Sequence, residues 1–182
     1  MNTALVLIDI QNDYFSGGKM ELVGMNKAVD NAKELLSVFR NNNWPVVHVR
    51  HLSIRANATF FIPETIGSEI HETVRPLETE TVVLKNFPNS FRNTCLNDLL
   101  HSSEITDLVI CGAMSHMCID TSVRAAFDLG YNCTVISDAC ATRDLVFNNE
   151  KVEAAKVHLA YMAALNGSFG KVLNIDQFKS SL

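Results

Sequence analysis

Leu108-Val109-Ile110-Cys111-Gly112-Ala113-Met114-Ser115-His116-Met117-Cys118-Ile119-Asp120 is the stretch whose reading decides the fold. It runs as an apolar strand, a tight turn of small residues and the opening of a helix, with Cys118 in the first turn. A cysteine in that place feels the positive end of the helix dipole and unpaired backbone N–H groups, both of which favour thiolate over thiol. It is an address for a nucleophile. The plainer alternative is a small, buried, inert side chain, and what weighs against it is the company found on either side.

Downstream, the helix buries Ile119, Val123, Ala126 and Phe127 and stops at Gly130, as a C-terminal glycine does. Cys133–Ser137 follows as a strand, 138–144 as a loop, a helix from about Glu150 to Leu165, and Lys171–Leu173 as a short sixth strand. Upstream, Ala4–Ile10 is a continuous apolar run of the kind covered on both faces of a sheet. Ala28, Ala32, Leu35, Leu36 and Phe39 then mark one face of a helix from about Met25 to Arg40. Val46–His51 is a second strand; Thr81–Leu84, closed by Lys85, is a third, followed by a helix from about Thr94.

Strands alternating with helices, without internal repeats or linkers, predict a single α/β domain over 1–182. Its architecture is three-layer α/β/α and Rossmann-like, one six-stranded parallel sheet with helices on both faces. Residues 52–80 break the rhythm. Their weak periodicity fits a lid, a binding loop or an arm reaching another subunit, and the exposed-looking Phe60, Phe61 and Ile62 predict a homodimer or homotetramer.

Composition narrows the function classes. The chain is 47% hydrophobic and 19% charged, ordinary for a globular protein, and its net charge of −5 offers no basic footprint for nucleic acid. No apolar run approaches the ~20 residues that span a bilayer. The N-terminal residues lack the basic region of a secretory signal. Five cysteines without C-x-x-C spacing fit a reduced thiol inventory better than a disulfide framework, so the expected compartment is cytoplasmic.

In parallel sheets ligands bind beyond the carboxyl ends of the strands. Asp9, Lys85 and the turn leading to Cys118 all lie at such ends, so three elements deliver a carboxylate, an ammonium and a thiol to one edge. Asp9 alone could equally be a strand-end residue bonded to loop backbone. Together the three can do chemistry. Asp9 takes the thiol proton, Lys85 balances the charge left behind, and the N–H groups of Met114 and Cys118 face the oxyanion formed on a carbonyl. His116 is the rival base, but residues two apart on a helix point about 200° from each other. Phe15, Phe87, Phe91 and Trp44 are the candidate walls of an apolar pocket, with core packing as their alternative.

Asp9-x-Gln11-Asn12-Asp13, Lys85 at the end of the third strand, Asn89-Ser90-Phe91, Gly112–Cys118, Ala125–Tyr131 and Asp138–Thr142 together resemble the isochorismatase-like cysteine hydrolases, nearly end to end. The resemblance implies a six-stranded parallel sheet, an Asp9–Lys85–Cys118 triad and a cis peptide between Ala113 and Met114 that presents the oxyanion hole. Nicotinamidases of that group resemble one another in an Asp-x-His metal motif after the second strand. Here that place reads His48-Val49-Arg50-His51, whose histidines face opposite sides of a strand. No metal and no cofactor are therefore expected. Several isochorismate-cleaving members lack the cysteine, so Cys118 favours a small amide, carbamoyl or ureido substrate, with vinyl ether cleavage of isochorismate as the runner-up. A catalytically idle binding module, or a peroxide sensor using Cys118, is the competing class, although a sensor usually has a resolving cysteine nearby.

Overall fold

The computed structural model describes residues 2–182. Six strands, Thr3–Ile8 (β1), Val46–His51 (β2), Thr81–Lys85 (β3), Asp107–Ala113 (β4), Asn132–Ala141 (β5) and Lys171–Leu173 (β8), form one parallel sheet in the order β3-β2-β1-β4-β5-β8. The chain leaves β1 in one direction to β2 and β3, then returns to lay β4 on its other side. Right-handed crossovers therefore put the helix after β1, Met25–Asn41 (α1), and the helix after β4, Asp120–Asp128 (α3), on opposite faces. Leu96–Ser102 (α2) links β3 to β4, and Ile175–Lys179 (α5) joins the α1 face, where Phe178 stacks on Phe39 with ring centroids 6.3 Å apart. This is the three-layer α/β/α architecture expected.

Burial follows the pattern of the sequence except at Phe127, expected to be buried on α3 but exposed there. Ala4 through Ile8 are all buried, as a central strand covered on both faces must be. The apolar stripe of α1 (Ala28, Ala32, Leu35, Leu36 and Phe39) faces the sheet. At the β1–β4 junction Ile8 pairs with Gly112, whose φ is +123°. A Cβ there would run into the Ile8 carbonyl oxygen, so only glycine lets the two strands meet at this point.

Three stretches differ from expectation. β5 runs on to Ala141 through a bulge, because its far end keeps pairing with β4 (Gly112 with Cys140, Ala113 with Ala141). Glu150–Val152, expected at the start of the last long helix, instead form a strand (β7) that pairs with Leu145–Phe147 (β6) as a hairpin. That helix is Ala154–Leu165 (α4), and Asp144 Oδ1 accepts from its Ala154 N–H at 2.8 Å. The segment 52–80 folds back on its own chain. Phe61, expected at the surface, is fully buried and Phe60 is half-buried; only Ile62 remains exposed. Ile54, Ile66 and Leu77 on the same segment are exposed as well, so part of its apolar surface stays uncovered. The most exposed large apolar side chains nearer the C-terminus are Val146, Phe147 and Leu159, on the hairpin and α4. Among the described residues no helix is long and apolar enough to cross a membrane.

Candidate active site

β1 and β4 are neighbours whose connections leave in opposite directions, and a crevice opens beyond the carboxyl ends of strands at such a switch point. Asp9 follows β1, Lys85 closes β3, and Cys118 lies in a π-helical turn, Ser115–Ile119, between β4 and α3. The sheet brings all three together. Lys85 Nζ is 2.8 Å from Asp9 Oδ2, with both side chains fully buried, and also donates to the Pro88 carbonyl at 2.9 Å. Cys118 Sγ, an Asp9 carboxylate oxygen and a His51 ring nitrogen lie within 4.8 Å of one another. Apart from its ion pairing, the Asp9 carboxylate has no aligned hydrogen-bond donor on either oxygen among the described residues.

Charge sets the protonation states. Burial alone would raise Asp9, but Lys85 and His51 outweigh it and hold the carboxyl below its usual value. Burial likewise opposes the Lys85 ammonium, which Asp9 and Cys118 nonetheless hold above its usual value. Cys118 goes the other way: burial and the Asp9 charge push its thiol up to about 12. The helix-end position, which on its own favours a thiolate, is outweighed here, because desolvation and a facing carboxylate exceed the pull of Lys85. The resting cluster is a carboxylate, an ammonium and a protonated thiol. Buried Cys133 and Cys140 also sit at about 12, so acidity does not single Cys118 out; its neighbours do.

The peptide joining Ala113 to Met114 is cis, as the resemblance implies. Met114 N–H donates to no backbone carbonyl among the described residues, while the Met114 carbonyl accepts from Met117 and Ile119. His116 points away from the base position: its Nδ1 is 2.6 Å from Thr142 Oγ1 and its ring meets Tyr161 edge-on.

The four aromatic pocket candidates fare differently. Trp44 precedes β2, at the amino end of the sheet opposite the cluster, and packs edge-on against Phe39. Phe91 stacks with Tyr131, which precedes β5 and so also belongs to that end. Phe87, on the loop after Lys85, lies under the Arg92 guanidinium at 3.8 Å. Phe15 is stacked on His71 at 3.7 Å. Phe15 and Phe87 thus lie on loops at the carboxyl ends of β1 and β3, the cluster end of the sheet, whereas Trp44 and Phe91 pack at the other end. Proximity in sequence to a strand end does not fix the direction of a side chain.

What the sequence reading missed is the work of the whole Asp9–Asp13 run. Gln11 donates to the carbonyls of His51 and Ser68 at 2.9 and 2.8 Å and accepts from the His51 N–H at 2.7 Å. Asn12 donates to the Ile66 carbonyl, and Asp13 accepts from Phe61 N–H at 2.6 Å. Three consecutive polar positions thus fasten segment 52–80 over the end of β1, which makes it a cover supplied by the same chain. Tyr14, buried against Phe61 with centroids 4.6 Å apart, was missed as well. Its hydroxyl is held well above its usual pKa by burial and by the charges of Cys118 and Asp9, which places it beside the cluster. His51 and Arg143 complete the set. The first was read only as half of an improbable metal pair, and its partner His48 indeed turns away, to Glu80 at 3.0 Å. Asp9, His51 and Cys118 could surround a cation, but the Lys85 ammonium already occupies Asp9 Oδ2 and the thiol keeps its proton, so this donor set fits a metal poorly.

Residues 3–177 match the model of the isochorismatase domain. The chain belongs to the isochorismatase family. Its sequence is 54% identical over 178 residues to the isochorismatase family protein YddQ of Bacillus subtilis, covering 98% of this chain and 99% of that one. A solved structure from Oleispira antarctica, assigned to the isochorismatase hydrolases, superposes with a TM-score of 0.95 at 50% identity, covering 98% of this chain and 96% of the other. A more distant relative is the ureidoacrylate amidohydrolase RutB of Acinetobacter baylyi, 24% identical over 209 residues, covering 97% of this chain and 82% of that one. The isochorismatase-family chain is accordingly a hydrolase.

Proposed function

We propose that this hydrolase cleaves a small-molecule C–N bond, in an amide, carbamoyl or ureido group, through a thioester on Cys118. The observation that carries the reading is the buried Asp9–Lys85 pair at 2.8 Å with the Cys118 thiol beside it, at the mouth of a turn with a free backbone N–H. A relative named as an amidohydrolase supports it.

Each step follows from the protonation states. Asp9, ionised at rest, accepts the thiol proton as Sγ attacks the substrate carbonyl carbon. A thiol at about 12 is a poor nucleophile until that moment, so proton transfer and attack are coupled. The oxyanion is stabilised by the N–H groups of Met114 and Cys118. Protonated Asp9 then gives its proton to the nitrogen, the C–N bond breaks, and ammonia or an amine departs, leaving a thioester. Water, deprotonated by Asp9, attacks the same carbon; the carboxylic or carbamic acid leaves and the proton returns to Sγ. Lys85 remains an ammonium throughout and keeps Asp9 ionised between steps.

The test is a panel of small amides, carbamoyl and ureido compounds assayed for ammonia, alongside isochorismate assayed for pyruvate, with wild type and Cys118→Ala. Ammonia release that vanishes in a folded Cys118→Ala supports the proposal. Pyruvate release that persists without the thiol overturns it in favour of vinyl ether cleavage.

A further inference from the structure

Past the end of the β4–β5 ladder, side chains take over from backbone pairing. Gly112 pairs with Cys140 and Ala113 with Ala141, and beyond them the chain of β4 enters the turn that carries Cys118. Ser115, the first residue of that turn, is fully buried, and its hydroxyl donates to the Ala141 carbonyl at 3.2 Å. One residue on, His116 Nδ1 meets Thr142 Oγ1 at 2.6 Å. A third element reaches the same serine. His158, one turn into α4, places its Nδ1 2.8 Å from Ser115 Oγ.

The proton positions follow from donor and acceptor capacity. A serine hydroxyl has one hydrogen and the Ala141 carbonyl can only accept, so that hydrogen points to the carbonyl. The Ser115 oxygen then meets His158 as an acceptor, which makes Nδ1 the protonated ring nitrogen. Burial holds the His158 pKa below its usual value, so the ring is neutral. His158 also lines an open cavity of about 270 Å³ between α1, the end of β5 and α4, from which water can reach the ring. Apolar side chains of the same shape would fill this space as well. What the polar relay adds is direction, since a turn that slipped would leave buried groups unpaired. The turn it holds is the one whose N–H groups serve the oxyanion: Ser115 follows Met114 directly and lies three positions before Cys118.

We infer that Ser115 and His158 are a positioning pair for the oxyanion site. Through His158 Nδ1–H, the Ser115 hydroxyl and the Ala141 carbonyl, α4 and β5 fix the aim of the Met114 and Cys118 N–H groups. Neither side chain takes part in the bond changes. The inference rests on the oxyanion step of the proposed C–N hydrolysis, and it holds equally for any attack of Sγ on a carbonyl.

Two reagents on Cys118 separate aim from general damage. Acylation by p-nitrophenyl acetate puts charge on a carbonyl oxygen and needs the oxyanion donors; alkylation by iodoacetamide displaces iodide and needs none. The quantity read is the ratio of the acylation rate to the alkylation rate, followed by mass on the Cys118 peptide. His158→Leu and Ser115→Ala should lower that ratio about 10- to 100-fold, as an ångström-scale displacement of catalytic groups does. His158→Asn should recover most of it, because its amide nitrogen stands where Nδ1 stood. His158→Gln, whose amide reaches to the place of Nε2, should not. Lys156→Met, on the exposed side of α4, should match wild type. Nitrogen-detected NMR of the wild-type His158 ring should show the Nδ1–H tautomer. On any amide that turns over, the Leu and Ala variants should lose kcat with KM unchanged. An unchanged ratio, an equal fall in both rates, an Nε2–H tautomer, or a wild-type Cys118 that p-nitrophenyl acetate does not acylate overturns the inference. Should the Leu and Ala variants not fold, Asn and Gln variants with equal ratios refute the pair. An amide panel that yields no ammonia while the ratio still falls is a failure of the C–N reading alone.

Discussion

Replacing Lys85 by methionine should unfold the protein more readily than any other single change in the cluster, and the size of the effect can be worked out. Asp9 is fully buried and its pairing with Lys85 is a 2.8 Å contact. Removing one partner of a buried pair leaves an uncompensated charge, at a cost of about 3–5 kcal/mol. His51 Nδ1, 3.8 Å from the same oxygen, can relieve part of this, which places the expectation near the lower end. The loss should depend on pH. In the wild type Asp9 is held below its usual 3.8, so the pair's contribution is full above that value and is lost as pH falls through the lowered pKa. In Lys85→Met burial raises Asp9 instead, so the penalty is full at neutral pH and shrinks on acidification. The gap between the two proteins should therefore narrow toward pH 4. Asp9→Asn/Lys85→Met, with no charge left to bury, should regain most of the stability but none of the activity. Urea denaturation at two pH values, with m held comparable, reads all three proteins. A single variant within about 1 kcal/mol of wild type, or a double variant no more stable than the single, refutes the reasoning.

Other expectations follow from the same geometry. Since Asp9 must be ionised and Lys85 holds it low, kcat/KM should stay level from neutral pH down to the carboxylate range and fall only below about 3.8; a pH-rate profile with an acid limb near 6 contradicts this. Gly112→Ala must hold φ near +123° while its Cβ meets the Ile8 carbonyl, so it should lose about 3 kcal/mol or more by denaturation. Exhaustive chelation should leave turnover unchanged, because the Lys85 ammonium holds the position a cation would need; loss of activity restored by one metal per chain counts against it.

The fold was legible because apolar periodicity, glycine stops and strand–helix alternation all pointed one way. Asp9, Lys85 and Cys118 were legible for a geometric reason: parallel strands deliver their last residues to one edge whatever surrounds them. Directions within loops were not. Trp44, Phe87 and Phe91 carry the right chemistry, but nothing local states which way a loop ring turns, and two of them pack at the other end of the sheet. Segment 52–80 was opaque because its anchors are distant in sequence; Asp13 holds Phe61 across 48 residues through a carboxylate–backbone bond. The hairpin at 145–152 hid behind helix-compatible residues, although Asn148-Asn149, both at positive φ, marks its turn. The place of Cys118 at the strand-end edge was legible; how far burial pushes its thiol up, to about 12, was not, because depth of burial is not written in the local sequence.

The account's central claim is a covalent bond between Cys118 and the acyl part of the substrate. Rapid acid quench of the enzyme during turnover of an active amide or ureido compound, followed by intact-mass and peptide analysis, examines that bond directly. The account predicts an adduct equal to the substrate acyl group, on the Cys118 peptide alone, cleaved by neutral hydroxylamine and absent from Cys118→Ala. Full turnover with no adduct at any quench time, together with undiminished hydrolysis by Cys118→Ala, would contradict it.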